Sequence, residues 1–497
     1  MEIIENFIVA IVRGLNNLLW GDLFTVNIGN TKIGLSIMVL ILLPVGIMFT
    51  IRTKFLPFRL FPEMIRVTLE PKESNEEKAI SGLQALIVAT ATRVGMGNLA
   101  GVAAAVSFGG AGAVFWMWIV ALFGAATSFI ESTLAQIYKE KDPLYGGFRG
   151  GPSYYISRMR LMTEVREDDI CIEKNLDESD VASTKYGTHY RQSCGFKTVA
   201  ILFSISALIC WAGISQIVAN SVSQSFVNAF SIPPLKTTIA LVIISGIIIF
   251  KKNTVVNILD KIVPVMACLY LLITIFIMLK NIGSLPSMFV QIFEEAFGIK
   301  QVVSGGFGAV IMNGVKRGLF SNEAGSGSAP NAAAAAHVSH PSKQGLIQAF
   351  GVFIDTLFIC SCSAFIILLA PSDLTKGLMG MDLLQTAMNY HIGEIGVIFI
   401  AVILFLFSFS TFLGVMFYSR GILAFLFGDK WWAQHAYKLV GLLMLFFGGI
   451  AQYNWVWDLG DLGVALMTVF NMIAIIPLSN QAIASLKDYE ERRKNKE

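Results

Sequence analysis

The stretch Thr92-Arg93-Val94-Gly95-Met96-Gly97-Asn98-Leu99-Ala100-Gly101 lies inside an apolar segment, Ile80 to Phe108, that is long enough to span a bilayer. Glycine destabilises a helix interior by about 0.5–1 kcal/mol relative to alanine. The closely spaced Gly95, Gly97 and Gly101 therefore predict a helix that breaks partway through the membrane. A broken helix exposes backbone groups that lipid cannot satisfy. We expect a polar cavity here, with N–H groups suited to an anion and carbonyls suited to a cation.

The composition is that of an integral membrane protein. Of 497 residues, 55% are hydrophobic and 14% are charged, and the mean hydropathy is +0.66. Soluble proteins carry about 25% charged residues. The net charge of +3 and the lack of a basic face give no indication of a nucleic-acid partner. The six cysteines are scattered and do not pair with histidines in a metal-binding pattern.

The apolar segments predict eleven transmembrane helices. Inner loops of membrane proteins carry most of the Lys and Arg, so the linker 52–79 and the basic tail 486–497 are predicted to be cytoplasmic, with the N-terminus outside. The amphipathic segment 1–32 is expected outside, at the membrane interface. The predicted spans are 33–51, 80–108, 113–138, 198–220, 235–250, 262–279, 301–315, 346–370, 392–417, 437–452 and 459–478.

Two of these spans are rich in glycine, the second and the seventh, where Gly305-Gly306-Phe307-Gly308 occurs. With the first span, 33–51, set aside as an extra helix, they become the first and sixth of ten. Interrupted helices at matching places in two repeats indicate a secondary-transporter binding site. We therefore predict a first repeat over 80–280, with a cytoplasmic insertion at 160–195, and a second, inverted repeat over 281–485. The alternative is that these glycines only allow close helix packing.

Other functional classes fit the sequence less well. A membrane enzyme would need paired intramembrane carboxylates or a metal-binding pattern such as HExxH, whereas Asp355 is a lone carboxylate in its span. A channel would usually show a repeated pore loop. The sequence contains no phosphate-binding loop with its lysine. The chain is therefore predicted to be a carrier and not an enzyme.

Several longer blocks resemble the alanine or glycine:cation symporter family, which is of the sodium:alanine symporter type within the amino acid-polyamine-organocation superfamily. The resemblance extends from about residue 33 to residue 480. It implies an all-α membrane fold of the leucine-transporter type, and sodium- or proton-driven uptake of a small neutral amino acid into the cell. The blocks that carry it are Gly95–Ala103, Gly109–Trp118, Gly150–Ile156, Arg317–Pro330, Phe353–Thr356 and Phe409–Thr411.

The substrate is expected to bind at the first break. The N–H groups of Gly95, Met96 and Gly97 would receive its carboxylate at the positive end of a half-helix. The block Ser321-Asn322-Glu323 is placed inside, in a cytoplasmic gate. The remaining pocket residues are expected from the seventh and fourth spans: Gly305, Gly306, Phe307, Trp211 and Gln216.

A sodium ion is expected beside the same break. The Val94 carbonyl would face it, and similarity to the leucine-transporter fold adds the Ser410 and Thr411 hydroxyls and the Phe407 carbonyl. Oxygen ligands of this kind suit a hard cation. Alternatively, the two hydroxyls bond back to their own helix.

Two further residues have two open interpretations each. Asn98 either binds a second cation or caps the half-helix that follows it. Asp355 either lies on an ion path or forms hydrogen bonds to the loop 317–330. Both belong to the predicted cation-binding set.

Two departures from the family pattern concern the substrate. Met96 stands where the family has threonine, and Val218 stands where it has glutamine. They leave a different small amino acid or an amine as an alternative substrate. The expected partners are the amino acid and the lipid bilayer of the plasma membrane, and the coupling ion is Na⁺ or H⁺. No organic cofactor, nucleic acid or obligate protein partner is indicated.

Overall fold

The computed structural model describes residues 2–28, 31–71, 79–159, 194–251, 254–298, 306–451 and 453–495. Most of the predicted insertion 160–195, and Gly305 of the predicted pocket, lie outside these residues. Within them the chain is almost entirely helical.

The N-terminal region contains one amphipathic helix and a hairpin before the first apolar helix. The predicted span 33–51 begins later than expected, at Ile37, because residues 31–35 pair as a strand and Ser36 caps the helix by accepting the N–H of Val39. The elements are α1 (Glu2–Trp20), β1 (Phe24–Ile28), β2 (Thr31–Leu35), α2 (Ile37–Arg52), α3 (Leu56–Arg59) and α4 (Phe61–Thr68).

The second predicted span is a broken helix, as the glycines indicate. It begins at a capping box in which Ser81 and Gln84 exchange hydrogen bonds. Its two halves are bent by 51°, and the second half opens with a π-helical turn, Gly97–Gly101. The halves are α5 (Gly82–Arg93) and α6 (Val102–Gly109).

The remainder of the first half of the chain contains four long helices and a two-stranded ribbon. The strands β3 and β4 form the ribbon, and Glu140 pairs with Arg149 in its antiparallel register. The elements are α7 (Gly112–Ile137), β3 (Glu140–Lys141), β4 (Phe148–Arg149), α8 (Pro152–Ser157), α9 (Cys194–Phe230), α10 (Pro234–Ile249) and α11 (Thr254–Lys280).

The second half of the chain repeats the mixture of long and interrupted helices. A 3₁₀ turn, Ile282–Ser284, precedes it, and a π-helical turn, Phe353–Cys360, joins its fourth and fifth helices. The elements are α12 (Leu285–Ala296), α13 (Gly306–Asn322), α14 (Ala329–Ala335), α15 (Pro341–Val352), α16 (Ser361–Leu368), α17 (Ser372–Thr375), α18 (Gly380–Ile392), α19 (Glu394–Phe427), α20 (Trp431–Ile450) and α21 (Tyr453–Lys494).

Seven helical segments in the described residues are long and apolar enough to cross a membrane, and the bent pair α5–α6 makes an eighth. The helices α2 and α10 are apolar but shorter. The helix α13, in the region of the seventh predicted span, does not meet the same test.

The seventh predicted span is interrupted at a different place from the one expected. Within the described residues, α13 runs unbroken from Gly306 through Gly308 to Asn322, so the prediction of a break at 305–308 is wrong for 306–308. The interruption falls at 323–328, between α13 and α14. Glu323, Gly325 and Gly327 there adopt φ values of 54°, 88° and 80°, which end a right-handed helix.

Close helix packing also accounts for several glycines. A Cβ atom on Gly314 of α13 would lie 2.6 Å from the carbonyl oxygen of Ala113 in α7. A Cβ atom on Gly345 of α15 would lie 2.2 Å from the Thr133 hydroxyl of the same α7. The central helix α7 is therefore held tightly between α13 and α15, and the two explanations of the glycines apply to different positions.

Candidate functional site

The two interrupted helices meet in the protein interior. The Asn98 amide, just after the first break, donates to Ser321 Oγ near the end of α13 at 3.3 Å. The Thr92 hydroxyl, just before that break, lies 3.4 Å from a carboxylate oxygen of Glu323, at the second break. A Cβ atom on Gly97 would lie 3.3 Å from the Phe320 ring. Ser321 and Glu323, which the sequence places in a cytoplasmic gate, thus lie beside the first break in the structure.

Oxygen atoms converge where α19 packs on the first break. The Thr411 hydroxyl oxygen lies 3.0 Å from both the Ala91 carbonyl of α5 and the Phe407 carbonyl of its own helix. The Ser410 hydroxyl lies 2.8 Å from the Phe407 carbonyl and 3.4 Å from that of Ala91. Bonding back to the helix and contact across to α5 therefore occur together. Hydroxyl and carbonyl oxygens are the ligands that a hard cation prefers.

The helix α19 lies directly against the break itself. Val94 ends α5 with φ −78° and ψ 83°, outside the helical region. A Cβ atom on Gly95 would lie 2.1 Å from the Thr411 hydroxyl oxygen. Only a glycine at position 95 lets Thr411 approach the turn this closely.

Asn98 and Asp355 form one buried network. Asn98 Oδ1 accepts the N–H of Gly95 at 3.0 Å, so the side chain closes the turn at the break. Its amide nitrogen donates to Asp355 Oδ1. Asp355 Oδ2 accepts from Ser321 at 2.8 Å and from Thr356 at 2.9 Å. Asp355 therefore connects both interrupted helices through hydrogen bonds, as its structural interpretation expects.

The second break is held by Glu131 of α7, whose carboxylate is fully buried. Its two oxygens accept the N–H groups of Gly325 and Gly327, each at 3.2 Å. Asn471 of α21 donates to the same carboxylate at 2.9 Å and to the Gly325 carbonyl at 3.0 Å. The freed backbone groups of the interruption are thus satisfied by α7 and α21.

A buried arginine balances the acidic groups around both breaks. Arg93, the last residue of α5, is 1% exposed and interacts electrostatically with the carboxylates of Glu131, Glu323 and Asp355. It donates to Ser128 Oγ and to the Gln348 carbonyl, each at 3.3 Å. A charge in this position offsets the cost of burying carboxylates.

The predicted pocket residues are only partly brought together. Met96 is buried at the break. Trp211 reaches it indirectly, since its ring lies 5.6 Å from that of Tyr418, whose hydroxyl lies 2.8 Å from the Thr92 hydroxyl. Gln216 instead points to α20, where its amide contacts Met444 Sδ at 3.1 Å.

Phe307 lies at the far end of α13 from the two breaks. Its ring faces the turn at Gly298, where a Cβ atom would lie 3.4 Å away. At 1.5 Å per residue, about 20 Å of helix separates Phe307 from Ser321. Gly306 begins the same end of α13. These two residues therefore do not contribute to the site formed by the breaks.

One side of the site is closed by a charged and aromatic layer. Arg317 donates to both carboxylate oxygens of Asp461, at 3.1 and 3.3 Å, and Lys316 lies 2.7 Å from the same carboxylate. The Arg317 guanidinium lies 4.6 Å from the Trp457 ring centroid, and this ring packs 5.2 Å from that of Phe320. This layer separates the first break from the end of α1.

The other side contains a cavity of about 300 Å³, which we call the Arg420 chamber. It lies between the N-terminal end of α5, the segment 142–150, α14 and the C-terminal half of α19. Its lining includes Tyr418, so it reaches the residue that contacts Thr92. The two sides of the site thus differ, one being closed and one containing an open volume.

Sequence reasoning did not find three contributors to the site, Ala91, Gly325 and Gly327, and it identifies Glu131 only as the partner in a structural salt bridge to Arg93 or Arg317. The Ala91 carbonyl lies in a regular helical turn and has no sequence signal. Glu131 is a carboxylate in an apolar segment, which is itself a signal of function, but its hydrogen bonds to the N–H groups of Gly325 and Gly327 could not be predicted. Gly325 and Gly327 gave the clearest available signal, because paired glycines after a helix indicate left-handed backbone.

Comparison with known proteins adds an independent line of evidence. The model of the sodium:alanine symporter family matches residues 22–497. A probable sodium/glutamine symporter, GlnT of Bacillus subtilis, is 41% identical over 94% of this chain and 91% of its own length. The amino-acid carrier protein AlsT of the same organism is 40% identical over 99% and 94%. The sodium/alanine symporter AgcS of Methanococcus maripaludis is 32% identical over 98% of both.

Among solved structures, a manganese transporter mutant of Eremococcus coleocola covers 84% of this chain and 97% of its own. Its identity is 10% and its TM-score is 0.48, a likeness too weak to support a statement about fold or function.

Proposed function

Because the chain belongs to the sodium:alanine symporter family, we propose that it carries a small neutral amino acid, such as alanine or glycine, into the cell together with sodium. Family membership and the seven or more apolar helices make it a multi-pass transporter of the plasma membrane. The family is one of symporters and not a class of enzymes. The substrate and the coupling ion are the proposed part.

The observation that carries the sodium proposal is the oxygen cluster at the first break. Thr411, Ser410, Phe407 and Ala91 bring two hydroxyls and two carbonyls together in a buried place. The Val94 carbonyl completes the proposed set. A sodium ion bound here would draw α19 and α5 together and thereby favour the arrangement of the break that receives the substrate.

The substrate carboxylate is assigned to the N–H groups of Gly95, Met96 and Gly97. The first N–H groups of a helix have no acceptor within it, and the positive end of the helix dipole favours an anion. Gly95 N–H is shared with Asn98 Oδ1, so Met96 and Gly97 are the main donors. Trp211 is proposed to line the substrate pocket indirectly, because it packs on Tyr418, which contacts Thr92 beside the break. Asn98 and Asp355 remain candidate ligands of a second cation.

The proposed architecture is a leucine-transporter-type fold of eleven spans, with inverted repeats over 80–280 and 281–485 and an extra first helix. The N-terminus is proposed to be outside and the C-terminus cytoplasmic, since the basic linker 52–79 and the tail then face inward. In this orientation the layer of Arg317 and Asp461 closes the outer side. The Arg420 chamber opens toward the cytoplasm, as expected for one state of an alternating-access cycle.

Glutamine is the second candidate substrate. A relative 41% identical over 94% of this chain is named a probable sodium/glutamine symporter. Met96 and Val218, which depart from the pattern of alanine carriers, would be compatible with a different side-chain pocket. The choice rests on a direct comparison of the amino acids.

Uptake of labelled alanine, glycine and glutamine into proteoliposomes tests the proposal. An inward sodium gradient should raise the initial rate for at least one of the three, and choline in place of sodium should abolish the increase. Equal uptake with and without sodium and proton gradients would contradict the proposal. A proton gradient that replaces sodium fully would change the coupling ion and leave the carrier assignment intact.

A further inference from the structure

Arg420 is a buried cation that forms no close ion pair with a described residue, although the Asp142 carboxylate attracts it from a distance. The residue is 9% exposed, and its Nε has no hydrogen-bond acceptor. In the part of the chain that the structure describes, its guanidinium makes no hydrogen bond and no ion pair. Burying a charge without compensation is costly. An anionic ligand bound to Arg420 would offset this cost.

Two aromatic rings hold the Arg420 guanidinium by its faces. Its central carbon lies 4.1 Å from the Tyr145 ring centroid and 5.0 Å from that of Phe417. Such cation–π contacts attract the charge without using its N–H groups as hydrogen-bond donors to oxygen. Gln434 fixes the helix at this point by donating to the Arg420 carbonyl at 3.1 Å. The geometry is that of a preorganised fork for a carboxylate.

The surrounding chamber is polar and has room for a small zwitterion. Its volume is about 300 Å³. The Asp142 carboxylate lies in the lining and interacts electrostatically with Arg149 and Arg420, but among the described residues it forms no close ion pair with either. Asn331 Oδ1, also in the lining, is buried and accepts no hydrogen bond there. An ammonium group could therefore meet acceptors in the chamber that holds the Arg420 guanidinium.

The chamber lies on the way from the first break to the proposed cytoplasmic side. Tyr418 belongs to its lining and contacts Thr92 of α5. Arg420 follows Thr411 by nine residues on α19, which corresponds to about 14 Å along a helix. A molecule released from the break would reach this arginine before it reached bulk water.

We propose that Arg420 forms a transit site that binds the carboxylate of the amino acid as it leaves toward the cytoplasm. The inference rests on the proposed function, because it takes the transported amino acid as the ligand. The site is separate from the oxygen cluster and from the N–H groups of the first break. Its effect is on the affinity measured from the cytoplasmic face, and the affinity measured from outside is left unchanged.

The test compares transport from the two faces of the membrane. Right-side-out and inside-out membrane vesicles are used with whichever of labelled alanine, glycine or glutamine the wild-type protein transports fastest. Arg420→Gln removes the charge, and Arg420→Lys keeps it but loses the planar fork. Arg149→Gln is the matched control, because Arg149 lines the same chamber but already pairs with Glu140 and Asp429.

Arg420→Gln is expected to raise KM about tenfold in inside-out vesicles, because the variant loses a bidentate contact with the substrate carboxylate. Arg420→Lys is expected to lie between this variant and wild type. Both should leave KM in right-side-out vesicles within about twofold, and Arg149→Gln should stay within about twofold on both faces. Wild-type vesicles without sodium-driven uptake would refute the proposed function instead.

Several outcomes would overturn the transit site. One is a KM in inside-out vesicles that is unchanged by Arg420→Gln at equal amounts of protein in the membrane. If Arg420→Gln does not reach the membrane, an unchanged KM for Arg420→Lys has the same meaning. A third is that Arg420→Gln raises KM only when chloride or phosphate is present and leaves it unchanged in methanesulfonate buffer, which would assign the arginine to an inorganic anion.

Discussion

Thr411 Oγ1 lies 3.0 Å from the carbonyl oxygen of Ala91, although 320 residues separate the two in the chain. This contact joins α19 to the last full turn of α5 before the break. It brings a hydroxyl to the place where the backbone of a membrane helix is interrupted. Sodium binding is the property that this contact predicts most directly.

Thr411→Ala removes one hydroxyl from the oxygen cluster and should weaken sodium binding. We expect the sodium concentration for half-maximal uptake to rise about tenfold or more, since tenfold corresponds to about 1.4 kcal/mol. The measurement is the sodium dependence of the initial uptake rate in proteoliposomes. Ser408→Ala is the control, because Ser408 lies on the same helix and its buried hydroxyl makes no hydrogen bond to any described residue. Equal sodium dependence of the two variants would remove Thr411 from the ion site.

A methyl group at Gly95 should block the approach of α19 to the break. The Cβ atom of Gly95→Ala would lie 2.1 Å from the Thr411 hydroxyl oxygen, so either the Thr411 side chain leaves the oxygen cluster or one of the two helices shifts. Sodium-driven uptake should fall to near the background. Gly101→Ala is the matched control, since its Cβ atom would meet the Trp457 ring at 3.8 Å, an ordinary contact. Wild-type activity of Gly95→Ala would contradict the packing described for this turn.

Glu131→Gln should disturb the second break. A glutamine can accept only one of the two N–H groups of Gly325 and Gly327, and it presents its own N–H groups to the other. An unsatisfied buried donor costs about 1–3 kcal/mol, so the thermal midpoint of the purified protein should fall and uptake should decrease at least severalfold. Ser132→Ala, at the next position of α7, should leave both close to wild type because the Ser132 hydroxyl makes no hydrogen bond within the described part of the chain. Unchanged stability of Glu131→Gln would show that the break does not depend on this carboxylate.

The stability contributed by Glu63 of α4 should depend on pH. Hydrogen bonds from Arg66 at 2.6 and 2.8 Å, with a further one from Tyr489, hold the pKa of Glu63 below its ordinary value, against the opposing effect of burial. A lowered pKa in the folded state gives stability that is fully present above the unfolded pKa of about 4.3 and is lost as the pH falls through the folded value.

Glu63→Gln should therefore lower the thermal midpoint at neutral pH by the equivalent of about 1 kcal/mol, because the Arg66 side chain is largely exposed. The difference from wild type should shrink as the pH falls below about 4. Glu490→Gln, which loses a pair with Arg59 whose carboxylate is more exposed than that of Glu63, should change the midpoint by the equivalent of less than about 0.5 kcal/mol. A difference that is constant with pH would contradict the titration of Glu63.

The first break could be predicted from residues 92–101 alone, because closely spaced glycines in an apolar segment have a direct physical cost. The second could not be located in the same way. Lys316 and Arg317 end the apolar run of the seventh predicted span, so the residues after them were predicted to be cytoplasmic. In the structure both cations are bound by Asp461 and lie against Trp20 and Trp457, so they do not mark the end of the helix in the membrane.

The pocket residues show a similar limit. The position of a residue along a helix decides on which face its side chain lies. The helices packed against that face decide what the side chain contacts. Gln216 lies five residues after Trp211 on α9, yet it contacts α20 while Trp211 contacts Tyr418 of α19. Phe307 follows a glycine-rich turn, as a pocket residue would, but the actual interruption is about 20 Å away along α13. Such contacts depend on packing between distant segments, which one sequence does not reveal.

The most direct test of the central claim is whether an amino-acid gradient moves sodium through the purified protein. Proteoliposomes with equal sodium on both sides receive an inward gradient of the transported amino acid, and the uptake of radioactive sodium is followed. A symporter couples the two fluxes, so wild-type protein should accumulate the sodium tracer above its external level while Gly95→Ala should not. Amino-acid uptake without any accumulation of sodium would contradict sodium-coupled symport.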